Sequence, residues 1–250
     1  MLIVTAKAAT AGNGMKYKAV IFDLFGTLVD NWVGSQYEEV YQRLAELFGF
    51  EYAAFLETWM SNPLSTLRAQ GYYDTFEECL REACRIMGVA YDPARVPQAV
   101  EVRMRMTRDS MKPRPDTMAA LKALREAGCK IGLLSDCSWE VPACWPSTAM
   151  APLVDEAIFS CTARLKKPDP RIYALICERL AVRPGECLYV GDCGSDELEG
   201  ARRAGMDAAL ICVPYEKDLV MGRPEARRWD GPRVSSVAEV VGLVNGSAES

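Results

Sequence analysis

The sequence predicts an α/β fold, in which a doubly wound parallel sheet carries an inserted all-helical domain. Short apolar runs of strand length alternate with amphipathic helical segments along most of the chain. Residues 31–112 break that alternation, because their apolar residues recur with helical spacing. With 250 residues, half of them apolar and 25% charged, the chain is long enough to bury a sizeable core.

The predicted strands are continuous apolar runs, which is typical of parallel strands that are buried on both faces. They cover residues 19–22, 131–134, 157–159, 188–190 and 208–213. Polar residues follow three of these runs directly, namely Asp23, Ser135 and Asp192. Ligands of open α/β sheets bind beyond the carboxyl ends of the strands. We therefore expect these three side chains to meet in one site.

Helical segments lie between the strands, and glycines end two of them. The segments cover Thr117–Glu126, which Gly128 follows, residues 171–180, and residues 196–204, which Gly205 follows. In the inserted region the apolar stripes are Tyr37, Val40, Tyr41, Leu44 and Phe48, and then Phe76, Leu80, Ala83, Cys84 and Met87. A segment near residues 59–73 joins these helices. We predict a core of residues 15–30 and 113–244, a helical cap of residues 31–112, and flexible tails at 1–14 and 245–250.

Charge and composition exclude several classes of function. Lysine and arginine number 29 against 34 acidic residues, so the net charge of −5 shows no electrostatic footprint for nucleic acid. No run approaches the roughly 18 apolar residues of a membrane span, and the opening residues 2–4 are too short for a secretory signal. We expect a cytoplasmic monomer or homodimer that acts on a small anionic substrate. The sequence contains no histidine, which excludes Ser-His-Asp and Cys-His catalysis.

The polar residues at the strand ends suggest nucleophilic chemistry. A carboxylate at the position of Asp23 can attack phosphorus or carbon and divide one difficult displacement into two easier ones. Gly26 and Thr27 follow it, with backbone amides free to approach a bound anion. Ser135 offers a hydroxyl to an oxyanion, and Asp136 stands beside it. We predict Asp23 as the nucleophile, and Gly26, Thr27, Ser135 and Asp136 as substrate contacts.

A divalent ion is the second expectation. Asp192 and Asp196 bring two carboxylates to the end of the sheet where Asp23 lies, and three unpaired carboxylates would repel one another. Oxygen ligands of this kind favour Mg²⁺. We predict Asp23 and Asp192 as direct ligands, with Asp196 either ligating or supporting them from behind. The backbone carbonyl of Phe25 is a further candidate ligand.

Four motifs resemble those of the haloacid dehalogenase-like (HAD) superfamily, in the family's order. Residues 23–30, with the sequence DLFGTLVD, are similar to its first motif, and Ser135 in LLSD to its second. Lys167 in LKKPDP is similar to the third motif, and Gly191-Asp192 with Asp196 to the fourth. The resemblance implies a Rossmann-like hydrolase core with a helical cap. It also selects Lys167, rather than Lys166, as the cation that holds an anionic substrate beside the nucleophile.

One position departs from the pattern of the phosphatases in this family, which carry a second aspartate two residues after the nucleophile. That aspartate protonates the leaving oxygen and later activates water, and here its place holds Phe25. A general acid contributes about 10²- to 10⁴-fold in rate, so ordinary alkyl phosphates should be poor substrates unless another group supplies the proton. Asp30, Tyr72, Tyr73 and Asp74 are candidates for that group.

Three hypotheses for the function follow. The first is a magnesium-dependent phosphohydrolase that acts on a small phosphorylated metabolite. The second is a 2-haloacid dehalogenase, in which Arg68 would neutralise the substrate carboxylate and the halide would leave without a proton. The third is a non-catalytic protein that binds a phosphometabolite or a protein partner.

Overall fold

The six strands of the fold form one parallel sheet within the part of the chain that the computed structural model describes, residues 15–31 and 35–246. In chain order they are β1 (Ala19–Phe22), β2 (Lys130–Ser135), β3 (Glu156–Phe159), β4 (Cys187–Gly191), β5 (Asp207–Ile211) and β6 (Arg233–Val234). Their spatial order is β3-β2-β1-β4-β5-β6, and all neighbours are parallel. The predicted parallel sheet is confirmed. The two-residue β6 was not predicted, and β5 ends two residues earlier than expected.

The helices of the described residues fall into an inserted group and a group that flanks the sheet. The inserted helices are α1 (Ser35–Phe48), α2 (Tyr52–Met60), α3 (Leu64–Ala69), α4 (Phe76–Met87) and α5 (Val96–Ser110). The flanking helices are α6 (Thr117–Glu126), α7 (Glu140–Cys144), α8 (Ser160–Ala163), α9 (Pro170–Leu180), α10 (Glu197–Arg203), α11 (Lys217–Gly222), α12 (Pro224–Arg228) and α13 (Val237–Val244). Across the described ranges, none of these helices has the length and apolar character needed to span a bilayer.

The sheet is buried on both faces because alternate strand residues enter two different apolar clusters. Val20 and Phe22 of β1 pack into a cluster with α6 and α13. Ala19 and Ile21 pack into a second cluster with α9 and α10. This two-sided burial explains why the strands appear in the sequence as continuous apolar runs rather than as alternating ones.

The position of β1 fixes where a ligand site can form. β1 lies between β2 and β4, and the chain crosses from β3 on one side of it to β4 on the other. The amide of Asp23 donates to the carbonyl of Val190 at 2.9 Å, which extends the pairing of β1 and β4 by one residue. Asp23 and Asp192 therefore emerge at the same edge of the sheet, at the topological switch point.

The inserted helices have an apolar cluster of their own. Trp59, Phe55 and Leu80 are among its fully buried residues, and both predicted stripes contribute to it. The predicted joining segment near residues 59–73 contains α3, which the sequence did not indicate. The division into core and cap at residues 31 and 112 stays a prediction. Residues 1–14 and 247–250 lie outside the described part of the chain, so the predicted tails are described only at residues 245 and 246.

A buried ion pair joins the inserted helices to the core. Arg103 of α5 contacts the carboxylate of Glu140, the first residue of α7, and both side chains are almost wholly excluded from solvent. The guanidinium of Arg103 also donates to the hydroxyl of Tyr41 at 2.8 Å. Phe76 and Trp139 pack next to this pair with their ring centroids 6.1 Å apart. The segment that follows β2 is thereby attached to α1, α4 and α5.

We expect Arg103→Met to destabilise the fold by about 3–5 kcal/mol, because Glu140 would remain buried without its cation. Arg105→Met on the same helix is the matched control, since Arg105 pairs with Glu101 on an exposed surface. That change should alter the free energy of unfolding by no more than about 0.5 kcal/mol. Urea denaturation of both variants measures the difference. Equal losses in the two variants would show that the buried pair contributes nothing beyond an exposed one.

Candidate active site

The carboxyl ends of β1, β2 and β4 bring the predicted polar residues to one edge of the sheet. Asp23 follows β1, Ser135 is the last residue of β2, and Asp192 follows β4. All three are buried. The sequence prediction that these strand ends share one edge agrees with the observed topology.

Lys167 lies at the centre of this edge and pairs with two carboxylates. Its Nζ atom is 2.6 Å from Oδ1 of Asp23 and 2.6 Å from Oε2 of Glu197. The hydroxyl of Tyr189, on β4, donates to the same Oε2 atom at 2.7 Å. All four side chains are buried, so solvent does not screen the three charges. Lys167 therefore fixes Asp23 and Glu197 relative to each other.

Burial and charge oppose each other at these groups. Burial raises the pKa of Asp23, although the ammonium of Lys167 acts in the opposite direction. Burial likewise raises the pKa of Glu197, to about 8, with Lys167 again opposing and with Asp23 and Asp192 adding to the rise. Against its own desolvation, Lys167 has a pKa well above the usual value because Asp23 and Glu197 surround it. The side chain of Lys167 consequently stays positively charged, and Asp23 and Glu197 share that one charge.

Asp192 has a separate set of partners. Its Oδ2 atom lies 2.5 Å from Nη1 of Arg223 and accepts from Nδ2 of Asn31 at 3.1 Å. Its Oδ1 atom accepts from the amide of Gly194 at 3.0 Å. Arg223 also donates to the backbone carbonyl of Asp192 at 2.7 Å. A guanidinium therefore neutralises the second carboxylate of the site.

The structure corrects the expectation that Asp196 stands with Asp23 and Asp192. Ser195 and Asp196 have φ angles of 57° and 53°, and the turn that they form precedes the first residue of α10, Glu197. The carboxylate of Asp196 is partly exposed and pairs with Arg203 at 3.2 Å. Glu197 is buried instead, and its ligand atom lies within 4.8 Å of those of Asp23 and Asp192. The third carboxylate is thus one residue further along the chain.

The residues present suit a divalent cation in their chemistry, though not for the reason expected from the sequence. The expected argument was that three unpaired carboxylates repel, but Lys167 and Arg223 pair with them. Asp23, Asp192 and Glu197 nonetheless form a compact set of carboxylate donors, as Mg²⁺ prefers. Oε1 of Glu197 is buried and has no hydrogen-bond partner among the described residues. These carboxylate donors therefore suit Mg²⁺, provided that Arg223 moves away from Asp192 when the ion binds.

Motif residues around Asp23 and Ser135 face the same edge. Thr27 is buried, and its hydroxyl lies 3.4 Å from Oδ2 of Asp23. The hydroxyl of Ser135 is buried and lacks a hydrogen-bond partner within the described ranges. Asp136 accepts a hydrogen bond from the amide of Lys167 at 3.0 Å, which ties the segment after β2 to the lysine. A buried hydroxyl without a partner is costly unless a ligand uses it.

A cavity of about 350 Å³ lies between this edge and the inserted helices. Phe25, Asp136 and Arg223 line it from the core, and Arg68 and Arg103 line it from the inserted helices. Arg68 stacks on Trp59, 4.0 Å from the ring centroid, and donates to the Trp59 carbonyl at 2.7 Å. Arg103 and Arg223 already pair with Glu140 and Asp192, whereas the described residues give Arg68 no carboxylate partner. The charge of Arg68 therefore favours an anionic occupant. A second cavity, of about 900 Å³, has Asn31 and Tyr37 in common with the first. Asp23, Ser135, Lys167 and Asp192 line neither cavity, but Phe25, Asp136 and Arg223 connect the smaller one to them.

The four residues considered as substitutes for the missing general acid do not line the cavity that contains Phe25. Asp30 pairs with Arg114 at 3.1 Å, and Asp74 pairs with Arg164 at 3.3 Å. Tyr72 is 69% exposed, and Tyr73 is packed against it edge to face. The observed geometry therefore gives no support to any of the four as the proton donor.

Sequence reasoning missed four residues of the site: Glu197, Tyr189, Asn31 and Arg223. Glu197 had a usable signal, because helical phase from Leu198 and Ala201 distinguishes it from Asp196. Tyr189 lies inside a strand that looks like ordinary core. Arg223 is more than 30 residues beyond its partner Asp192, in a region without a recognisable motif. Only the fold brings it to the site.

Gly26 is required for the close approach of this loop to Asp192. Its φ is +80°, and a Cβ atom there would lie 2.0 Å from Oδ2 of Asp192. We expect Gly26→Ala to lower turnover by about 100-fold, because it displaces that carboxylate. Gly88→Ala is the control, because Gly88 has a similar φ of +66° but no atom within 4 Å of where a Cβ would lie. That variant should therefore show only the backbone strain of about 1–2 kcal/mol. Comparable turnover in the two variants would contradict the role of this contact.

Known proteins resemble the chain over most of its length. It is 28% identical over 198 residues to (S)-2-haloacid dehalogenase H-109 of Pseudomonas putida, covering 78% of this chain and 85% of that protein. It is also 28% identical over 209 residues to glyceraldehyde 3-phosphate phosphatase of Methanopyrus kandleri, covering 78% and 83%. Relatives of both chemistries therefore match the chain to a similar extent.

Solved structures and the family comparison agree on the fold. A HAD family enzyme from Bacteroides thetaiotaomicron, solved in complex with magnesium and inorganic phosphate, has a TM-score of 0.61 at 16% identity. That comparison covers 78% of this chain and 94% of the other. Residues 17–205 match the family model of haloacid dehalogenase-like hydrolases, and these residues include all four motifs. The chain belongs to the haloacid dehalogenase-like hydrolase family.

Proposed function

We propose that this hydrolase is a magnesium-dependent phosphohydrolase that acts on a small phosphorylated metabolite. The observation that carries the proposal is the buried cluster of Asp23, Asp192 and Glu197, with Lys167 between two of its members. Such a donor set beside a strand-end carboxylate suits a nucleophile that works next to a divalent ion. The similarity to a phosphatase over 78% of the chain supports the same reading.

The chain's own residues account for the covalent step. One carboxylate oxygen of Asp23 attacks phosphorus, the bond to the leaving oxygen breaks, and water then cleaves the aspartyl phosphate. Lys167 holds the carboxylate in place and offsets the charge of the phosphoryl group. The free hydroxyl of Ser135 is available to donate to a phosphoryl oxygen. The sequence led us to expect free amides at Gly26 and Thr27, but they already donate to the carbonyls of Val29 at 2.8 Å and Leu24 at 3.3 Å. The Thr27 hydroxyl, 3.4 Å from Oδ2 of Asp23, is the group of this loop that lies beside the nucleophile.

A divalent ion held by Asp23, Asp192 and the Phe25 carbonyl would polarise the phosphoryl oxygens as a Lewis acid. Glu197 replaces Asp196 as the third carboxylate of this proposal, because it lies in the cluster. Arg68 in the cavity wall favours a substrate with negative charge. Phe25 leaves the site without the usual proton donor, so substrates with good leaving groups, such as acyl phosphates, should react fastest.

A 2-haloacid dehalogenase is the second candidate, and two observations favour it. Phe25 lines the cavity as an aromatic residue, and Lys167 and Arg223 supply cations from the chain itself to Asp23 and Asp192. In that reaction Asp23 would attack carbon and a halide would leave with the electron pair, so no proton donor is needed. Arg68 would then hold the substrate carboxylate. The similarity to a haloacid dehalogenase covers as much of the chain as the similarity to the phosphatase.

We expect Asp23→Asn to lower kcat by about 10⁴-fold or more, because an amide oxygen is a far weaker nucleophile than a carboxylate. The side-chain volume hardly changes, so the thermal transition should remain cooperative. Asp230→Asn is the control, since Asp230 is an exposed partner of Arg202. Steady-state rates on the best available substrate measure both variants. Wild-type turnover in pure Asp23→Asn protein would refute the nucleophilic role.

We expect Phe25→Asp to raise the turnover of an alkyl phosphate by about 100-fold, because it restores the missing acid. Phe25→Asn and Phe25→Leu are the controls, since they alter the ring without providing a proton donor. Rates are measured on an alkyl phosphate, an acyl phosphate and a 2-haloacid, each with Mg²⁺ and with chelator. Halide release that is indifferent to chelator in the wild type, and that the Asp variant loses, would favour the dehalogenase. Saturable phosphate binding without turnover in any variant would favour a binding protein.

A further inference from the structure

Arg223 holds a position that none of the four motifs explains. It lies between α11 and α12, its side chain is 26% exposed, and it lines the cavity that also contains Phe25 and Arg68. Its Nη1 atom contacts both the carboxylate and the backbone carbonyl of Asp192. One guanidinium thus stands between the carboxylate cluster and the cavity.

The Oδ2 atom of Asp192 has little hydrogen-bonding capacity left for a further ligand. Oδ2 is the atom that a Cβ on Gly26 would strike, so it faces the loop that follows Asp23. A carboxylate oxygen has about two lone-pair sites, and Arg223 and Asn31 already occupy them. A metal that binds through Oδ2 must displace one of these donors.

The charges of Asn31 and Arg223 indicate which of the two would leave Asp192 when a metal binds. Asn31 is neutral, and its backbone and side-chain amides are also held by Glu216, at 2.7 Å and 3.1 Å. Arg223 carries a positive charge, which a divalent cation bound a few ångströms away would repel. Among the described residues, Arg223 makes one further side-chain hydrogen bond, to Oδ1 of Asn31 at 3.4 Å, which is long and therefore weak. The arginine is therefore the partner that yields.

We infer that Arg223 competes with the divalent ion for Asp192, and that ion binding turns its guanidinium into the cavity, where it binds the anionic substrate. Arg223 is in this way a positioning residue for the empty site and a substrate ligand for the loaded one. The inference rests on the proposed magnesium dependence. Binding of the metal and binding of the anion are coupled, because the metal displaces Arg223 from Asp192 and the freed guanidinium then binds the anion.

The test measures binding and not turnover. Isothermal titration with MgCl₂ alone compares the wild type with Arg223→Gln and with Arg228→Gln, an exposed arginine of α12. We expect Arg223→Gln to bind Mg²⁺ about tenfold more tightly, since it removes a charge-assisted competitor, and Arg228→Gln to match the wild type. In saturating Mg²⁺, Arg223→Gln should bind inorganic phosphate about tenfold more weakly than either. Arg223→Lys retains the positive charge but not the planar guanidinium that can donate two parallel hydrogen bonds. It should therefore show smaller changes of the same sign.

The outcomes separate this inference from the proposed function. Unchanged or weaker Mg²⁺ binding in Arg223→Gln, with the wild type binding normally, overturns the competition and leaves the proposed function standing. Unchanged phosphate affinity in Mg²⁺ overturns the role in anion binding. Binding of Mg²⁺ by Arg223→Gln but not by the wild type supports the competition and counts against magnesium dependence. If neither protein binds Mg²⁺, both proposals fail.

Discussion

The contact of Lys167 with Asp23 and Glu197 is the constraint on which the rest of the site depends. A buried ammonium between two buried carboxylates is stable only if all three keep their positions, because loss of one partner would leave an uncompensated charge. Three separate parts of the fold supply these groups: the end of β1, the segment before α9, and the start of α10. The parallel sheet and its flanking helices bring these three segments together at one edge.

Asp192, the second carboxylate of the cluster, has a different kind of cationic partner from Asp23. Asp192 is neutralised by a half-buried arginine that also faces the cavity, whereas Asp23 is neutralised by a fully buried lysine. Lys167 is 3% exposed, whereas the side chain of Arg223 is 26% exposed and can extend towards solvent or the cavity. The two carboxylates are thus neutralised by cations of different accessibility, and the proposed competition with a divalent ion concerns the more accessible of the two.

The fold and the positions at the strand ends could be predicted from the sequence because they follow from local patterns. Continuous apolar runs identified five of the six strands, and glycines marked the ends of α6 and α10. Asp23, Ser135 and Asp192 were predicted because each stands at the end of an apolar run, and Lys167 because LKKPDP resembles the third family motif. Glu197 was missed because two residues with positive φ precede α10 and change which carboxylate faces inward. Arg223 and Asn31 could not be found, since their contacts with Asp192 join segments more than 30 and 160 residues apart.

Phe25 stands at the position where the two candidate chemistries make different demands on this site. Attack by an aspartate on phosphorus or on carbon needs the same nucleophile, the same lysine and the same anion-binding edge. The two reactions differ in the leaving group, because an alkoxide needs a proton and a halide does not. With phenylalanine at the position of the acid, the proposed phosphohydrolase depends on a leaving group that departs without a proton. An acyl phosphate meets that requirement through its leaving carboxylate, and so it is the phosphorylated substrate class that the proposal favours.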